Sequence, residues 1–190
     1  MDHRDHVALL APGLAEEPRG ADARWADVGA GSGAFTLALA DLLGPGAWIV
    51  AIDLDRAALA DNASAMASRF PGVVLETRVA DLTGALDLPP LDGLVAANSL
   101  HFVPREVQAA TVRRLAGLLR PGGRFVVVEY DADRGNPWVP HPFTVSGWKA
   151  IAAEAGLVDT AEIGRVPSRW LGAIYSAAGR RPFDAHGRER

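Results

Sequence analysis

From residue 24 onward the chain alternates short, almost uninterrupted apolar runs with longer stretches whose apolar residues recur every three or four positions. The first pattern belongs to strands buried on both faces, the second to helices with one apolar side. Residues 24–28 read as a first strand, and 34–43 as a helix that stops at Gly44-Pro45-Gly46. Residues 48–52 form a second strand, 56–69 a helix, 73–79 a third strand and 94–97 a fourth. A helix over 104–119 has its proline suitably placed at the start, and Pro121-Gly122-Gly123 turns into a fifth strand over 124–129. A helix near 146–155 stops at Gly156, and two extended runs follow, 157–165 and 170–176. The short link between them, carrying Pro167-Ser168, allows only an antiparallel pair. The predicted fold is therefore α/β: a doubly wound, mostly parallel seven-stranded sheet with an antiparallel C-terminal strand pair and helices on both faces. Residues 1–22 read as an N-terminal extension with room for one short helix, 23–178 as a single domain, and 179–190 as a flexible arginine-rich tail.

Composition narrows the class. At 190 residues, 49 % apolar and 22 % charged, the chain has the balance of one globular domain. No apolar run approaches the roughly 18 residues of a membrane span, and the charged start Met1-Asp2-His3-Arg4-Asp5 has no apolar stretch behind it that would make a signal peptide. Cysteine is absent, which excludes disulfides, thiolate metal sites and a cysteine nucleophile and fits a cytoplasmic protein. A net charge of −4 argues against non-specific binding to nucleic acid. His3 and His6 lie at the very start, and no other His or carboxylate cluster has ligand spacing, so no metal site is expected. Trp25, Trp48, Trp148 and Trp170 fall inside predicted elements and are expected in the core.

The chemistry gathers after the first strand, in Asp27-Val28-Gly29-Ala30-Gly31-Ser32-Gly33. Glycines belong there because the chain bends sharply and a ligand must approach bare backbone. Taken alone, the segment also satisfies a dinucleotide fingerprint as Gly29-x-Gly31-x-x-Ala34, or a purely structural turn. Two features favour another ligand. Asp27 stands where it would repel a pyrophosphate but attract an ammonium, and the third glycine, at 33, comes one position early for the dinucleotide pattern. Asp53 ends the second strand, Ala80-Asp81-Leu82 follows the third, and Leu118-Leu119-Arg120-Pro121-Gly122-Gly123 precedes the fifth.

In this order and spacing the four segments resemble the motifs of class I S-adenosylmethionine (SAM)-dependent methyltransferases, over residues 22–176. The resemblance implies SAM as cofactor, leaving as S-adenosylhomocysteine after methyl transfer. It implies that Asp27 lies near the amino group of the methionine part, with the backbone of Gly29, Ala30, Gly31 and Gly33 passing close by. Asp53 would accept from the ribose hydroxyls and Asp81 from the adenine amino group. Leu54 and Leu82 would flank the adenine ring, with Ala80 and Asn98 beside the cofactor.

Acceptor-side candidates follow the fourth and fifth strands: Asn98-Ser99-Leu100-His101-Phe102, Glu129-Tyr130, and then Trp138 and His141 in the next loop. His101 is the best candidate base, since an imidazole titrates near working pH. Glu129, Tyr130, Trp138 and His141 are expected to line the acceptor. The family's Asn-Pro-Pro-aromatic signature for amines of nucleobases is replaced by Asn98-Ser99-Leu100-His101, which argues against amino methylation of DNA adenine or cytosine; a small-molecule acceptor is expected. With so short an N-terminal segment, the acceptor site would be shallow. Residues 1–20, a second subunit of a homodimer, or a macromolecular substrate would close it. A SAM-binding subunit without catalysis is the alternative function, and a nicotinamide-dependent oxidoreductase a weaker one.

Overall fold

The computed structural model describes residues 1–168 and 171–184, and in it the apolar runs line up as one sheet. Its strands are β1 (Arg24–Val28), β2 (Trp48–Asp53), β3 (Val74–Val79), β4 (Leu91–Ala97), β5 (Leu119–Tyr130), β6 (Val158–Pro167) and β7 (Ala173–Arg180). Among the described residues the α-helices are α1 (His3–Leu14), α2 (Ala34–Leu43), α3 (Arg56–Arg69), α4 (Arg105–Ala116) and α5 (Val145–Glu154). The strand order is β3-β2-β1-β4-β5-β7-β6, parallel except for β7, which runs antiparallel to both β5 and β6. This is the predicted doubly wound sheet. The chain winds outward from β1 to β3 and restarts at β4 on the other side of β1, so strand order reverses between β1 and β4. Ligands of such sheets bind outside the carboxyl ends of the strands at that reversal.

Period-two alternation divides the core into two layers. Ala26, Val28, Val50, Ile52, Leu94, Ala96, Phe125 and Val127 meet Val112 and Leu115 of α4 and Trp148 and Ala152 of α5. Trp25, Ile49, Val95, Val126 and Val128 point the other way, onto α1 and α2 and onto Met66 of α3. Trp25 and Trp148 are fully buried, Trp48 packs at the margin of the core, and Trp170 lies outside the described residues.

The structure corrects several sequence boundaries. β4 begins at Leu91 and pairs there with Leu119, so β5 starts before the Pro121-Gly122-Gly123 segment and α4 ends at Ala116. The last strand is Ala173–Arg180, later than 170–176, and the pairing continues beyond it. Arg181 donates its N–H to Gly123, accepts from the N–H of Gly122, and caps the carbonyls of Gly117 and Leu119 with its guanidinium. Residues 179–181 are therefore part of the sheet, because arginines there supply donors for exposed carbonyls; residues 185–190 lie outside the described residues.

The N-terminal segment is likewise part of the domain. A capping box between Asp2 and Asp5 starts α1, and Leu9, Leu10 and Leu14 bury themselves against α2 and the sheet. Among the described residues no helix is long and apolar enough to cross a membrane, and no group of three or more His, Asp or Glu side chains is placed to hold a metal ion.

Gly93 sits at the crossing of β4 and β1, where an added Cβ would land inside the Trp25 ring. Gly93→Ala is expected to destabilise the fold by about 1–3 kcal/mol through overpacking, measured as a lower midpoint in urea denaturation.

Candidate functional site

The bend after β1 is fixed by what it must cross. The N–H groups of Gly29 and Ala30 both donate to the carbonyl of Ile52, at 2.8 and 3.0 Å, which carries the bend over the end of β2. Gly29 has φ +76°, and a Cβ on it would collide with Ser99. Gly31 has φ +51°, but a Cβ there would meet nothing within 4 Å. Close packing thus demands the first glycine, while the second faces open space. Gly33, left-handed as well, is the N-cap of α2 and packs against Asn62; Ala30 is buried near Leu59 of α3.

Three acids stand near this bend in different states. Asp53 is half-buried and accepts the Gly31 N–H on one oxygen and the Asp55 N–H on the other, both at 2.8 Å. Asp81 is exposed. It accepts from the N–H and hydroxyl of Thr83, both at 2.7 Å, which hold its carboxyl below the usual carboxylate range. Asp27 is 1 % exposed and faces α2, where it accepts from the Thr36 hydroxyl at 2.6 Å; Asn62 of α3 in turn donates to Thr36 at 2.8 Å. Its Oδ1 is buried without a partner. Burial pushes the Asp27 carboxyl up to about 7, the Thr36 hydrogen bond opposes the rise, and the negative charge of Asp53 adds to it.

A hollow of about 440 Å³ opens at the carboxyl ends of β1, β2 and β4. Gly29, Asp53, Leu54, Ala80, Asp81, Leu82 and Asn98 line it, so seven of the expected cofactor residues come together. Asp27, Ala30, Gly31 and Gly33 are not in its lining; they belong to β1 and to the bend that carries Gly29. Thr83, Ser99, Phe102, Val103 and Pro104 were not foreseen there. Asn98 has φ +50°, a conformation asparagine tolerates, and its Oδ1 is buried with no partner.

A second hollow, about 560 Å³, adjoins the first and shares Asn98 and Phe102 with it. His101, Tyr130, Asn136, Trp138 and Val139 complete its lining. Burial and the charge of Glu129 raise the Tyr130 hydroxyl above its ordinary value, so it stays protonated. Two sequence expectations are corrected here. Glu129 does not line the hollow: its carboxylate is fully buried and accepts from His101 Nδ1 at 2.7 Å and from the His101 N–H at 3.2 Å. His141 does not line it either: its N–H donates to the His101 carbonyl and its own carbonyl accepts from Gln108, which braces the loop. No residue of 1–20 lines either hollow, because α1 packs on the sheet face instead of over the strand ends.

The buried Asp27 makes a prediction about stability. A carboxyl that keeps its proton to about pH 7 when folded, but loses it near pH 4 when unfolded, binds more protons in the native state between those values. Native stability therefore falls as pH rises through that window and levels off above it. Asp27→Asn removes the titration. Relative to this variant, the wild type is expected to lose up to roughly 4 kcal/mol between about pH 4 and pH 7, read from denaturation curves at a series of pH values.

Comparison with known proteins agrees with the geometry. The family described as "Methyltransferase domain" matches residues 26–125, more than half of the chain. Demethylmenaquinone methyltransferase of Mycolicibacterium vanbaalenii is 35 % identical over 106 residues, 55 % of this chain and 40 % of that protein. The chain thus aligns with less than half the length of this curated relative. YcgJ of Bacillus subtilis superposes with a TM-score of 0.72 at 16 % identity, over 94 % of this chain and 99 % of that one. The 1,6-didemethyltoxoflavin N1-methyltransferase of Burkholderia thailandensis, solved with that substrate and S-adenosylhomocysteine, gives 0.70 at 22 % identity over 95 % and 78 %. With the family matched across β1 to β5 and the strand reversal, glycine bend and acidic strand ends in place, the chain belongs to the methyltransferase-domain family of class I enzymes, whose cofactor is SAM.

Proposed function

We propose that this chain transfers the methyl group of SAM to a small-molecule acceptor held in the second hollow. The observation that carries this reading is the adjacency of the two hollows: an acid-and-glycine-lined space meets an aromatic-lined one across Asn98 and Phe102.

The residues of the first hollow fit the cofactor. Asp53 spends one acceptor position of each oxygen on backbone N–H groups, and an ionised carboxylate has about four. The rest are free for a pair of ribose hydroxyls. Asp81, whose carboxyl Thr83 favours in its ionised form, would accept from the exocyclic amine of the adenine. The orphaned Oδ1 atoms of Asp27 and Asn98 want donors, and a ligand ammonium beside the bend would supply them and favour the ionised form of Asp27. Gly31 offers a bare backbone facing open space.

Bound SAM supplies a methyl carbon already activated by its sulfonium. What remains for the chain is to align the acceptor with that carbon and keep water out. Asn98 and Phe102, common to both hollows, stand where the two ligands meet, and the rings of Tyr130 and Trp138 flank the acceptor.

Two tests follow. Asp53→Ala is expected to weaken S-adenosylhomocysteine by about 1.5–3 kcal/mol in calorimetric titration, the range for hydrogen bonds to a charged group, with the fold retained. Gly31→Ala is expected to fold at a cost of about 1–2 kcal/mol while Gly29→Ala is far less stable, because only the latter collides with Ser99. For the activity itself, the measurement is S-adenosylhomocysteine formed from SAM with a panel of small acceptors. Tight cofactor binding without turnover of any acceptor would make the chain a cofactor-binding subunit instead.

A further inference from the structure

We propose that the acceptor is a neutral hydroxyaromatic compound, and that His101 Nε2, with its ring held by Glu129, takes the proton from its hydroxyl. The proposal rests on the methyl transfer proposed above and adds the class of substrate and the role of the dyad.

The lining of the second hollow argues for a flat, uncharged molecule. His101, Phe102, Tyr130 and Trp138 supply four rings, and no Lys, Arg, Asp or Glu stands among the lining residues. A charged acceptor entering there would lose hydration and gain no counter-charge. Trp138 is 83 % exposed and Phe102 61 %, a large aromatic surface open to a ligand. The exposure of Trp138 is built in: Asn136 Oδ1 accepts the N–H groups of both Trp138 and Val139 at 2.9 Å, which fixes the turn that presents the indole. Flat rings stack well on such a surface.

The dyad argues for a hydroxyl proton. Glu129 is buried, and among the described residues its carboxylate bonds only to His101, one oxygen to the ring and one to the backbone N–H. A buried carboxylate is costly, and bracing a loop could be done by a neutral group. An ionised carboxylate can only accept, so Nδ1 carries the ring proton and Nε2 is left as the lone pair. Nε2 has no hydrogen-bond partner among the described residues, and His101 lines the hollow. The ring is kept in place by Phe102 and Tyr130, with centroids at 4.3 and 5.9 Å.

Acidity selects the hydroxyl. An aromatic hydroxyl with a pKa of about 10 is within reach of an imidazole as the new bond forms, whereas a water-like hydroxyl near 16 is not. An aliphatic amine would arrive as a cation, for which the lining offers no anion. In the step, the aromatic O–H bond breaks and its proton passes to Nε2. The freed oxygen pair forms the bond to the methyl carbon, and the carbon–sulfur pair stays on sulfur as S-adenosylhomocysteine leaves. The imidazolium then returns its proton to water.

The test uses the full chain and four aromatic probes: 2-naphthol, 2-naphthylamine, 2-naphthoate and 4-nitrophenol, at a pH where 4-nitrophenol is still neutral in water but gives up its proton far more readily than 2-naphthol. We expect S-adenosylhomocysteine to bind, 2-naphthol to bind that complex in calorimetry, and SAM to convert it to its methyl ether. Trp138→Ala, safe for the fold because the side chain is exposed, is expected to weaken 2-naphthol about tenfold without changing S-adenosylhomocysteine affinity. His101→Gln and Glu129→Gln are expected to lower kcat for 2-naphthol about 100-fold with KM little changed, and kcat for 4-nitrophenol less than about tenfold. Equal losses on both phenols would make His101 a structural brace and overturn the proposal. So would unchanged 2-naphthol binding in Trp138→Ala, which keeps the test decisive even where a dyad variant does not fold. Methylation of 2-naphthylamine or 2-naphthoate but not of 2-naphthol overturns the proposal and leaves methyl transfer standing. Failure of S-adenosylhomocysteine to bind overturns both.

Discussion

The carbonyl of Ile52 accepts two hydrogen bonds from the neighbouring bend, from Gly29 and from Ala30, and one residue later the Asp53 side chain accepts a third from Gly31. Every other feature of the site is placed relative to this crossing. A bend that leaves β1 and enters α2 must satisfy its amides somewhere, and β2 beside it ends with acceptors to spare. Because β1 and β2 are parallel and in register, Val28 opposite Ile52, the bend and Asp53 arrive at the same height. The carboxylate is therefore held by the backbone it helps to shape. The bend in turn packs under Ser99, whose hydroxyl donates to the carbonyl of Val28 and so ties the end of β4 to the end of β1. The strand ends on both sides of the topological reversal are thus joined by hydrogen bonds before any ligand arrives.

The same logic explains the second hollow. Ala97 pairs with Val128, so the residues just beyond β4 lie over the last residues of β5. That register carries His101 to Glu129 across 28 positions of sequence. Glu129 also obeys the alternation of its strand. Phe125 and Val127 face the layer of α4 and α5, and Glu129 is the next residue of that parity, while Tyr130 points to the opposite layer. A carboxylate at an inward position needs a partner, and the loop after β4 is the segment within reach.

This shows why the fold was legible in the sequence and part of the site was not. Unbroken runs such as Ile49 to Ile52 and Phe125 to Val128 identify buried parallel strands by themselves, and helices between them with glycine stops leave few topologies. Glycine spacing and the acid ending β2 located the bend and the hollow beside it equally well, since their position follows from the backbone. Side-chain direction was harder. Asp27 sits between Ala26 and Val28, which share one layer, so parity sends it to the other, toward Thr36 of α2. Treated as a strand-end acid it looks wholly free; read by parity it is a buried group with one oxygen bonded to Thr36 and the other without a partner. Glu129 was expected on the acceptor surface for the same reason, as its polarity suggested a site surface and its parity a core. The start of the tail, at Arg180 and Arg181, could not be read from composition, because these residues are polar and yet bond the carbonyls of Gly117, Leu119 and Gly122.

Placing α1 on the sheet face instead of over the strand ends has a consequence for how such a domain gains selectivity. Its apolar side, Leu9, Leu10 and Leu14, is spent on α2 and the sheet, so it cannot also wall the acceptor. Among the described residues, the segment between β5 and α5 supplies Asn136, Trp138 and Val139 to the second hollow. That segment is tied down by local bonds: Asn136 to Trp138 and Val139, His141 to His101, and Asp131 to the Val145 N–H. Gln108 of α4 adds three carbonyls to the same scheme, those of Leu100, Val103 and His141. A short connection braced in this way presents few side chains, and those it does present are rigidly held. On the proposed function, an acceptor would meet ring faces and one imidazole edge from these elements, a surface that would discriminate by shape and proton acidity more than by size.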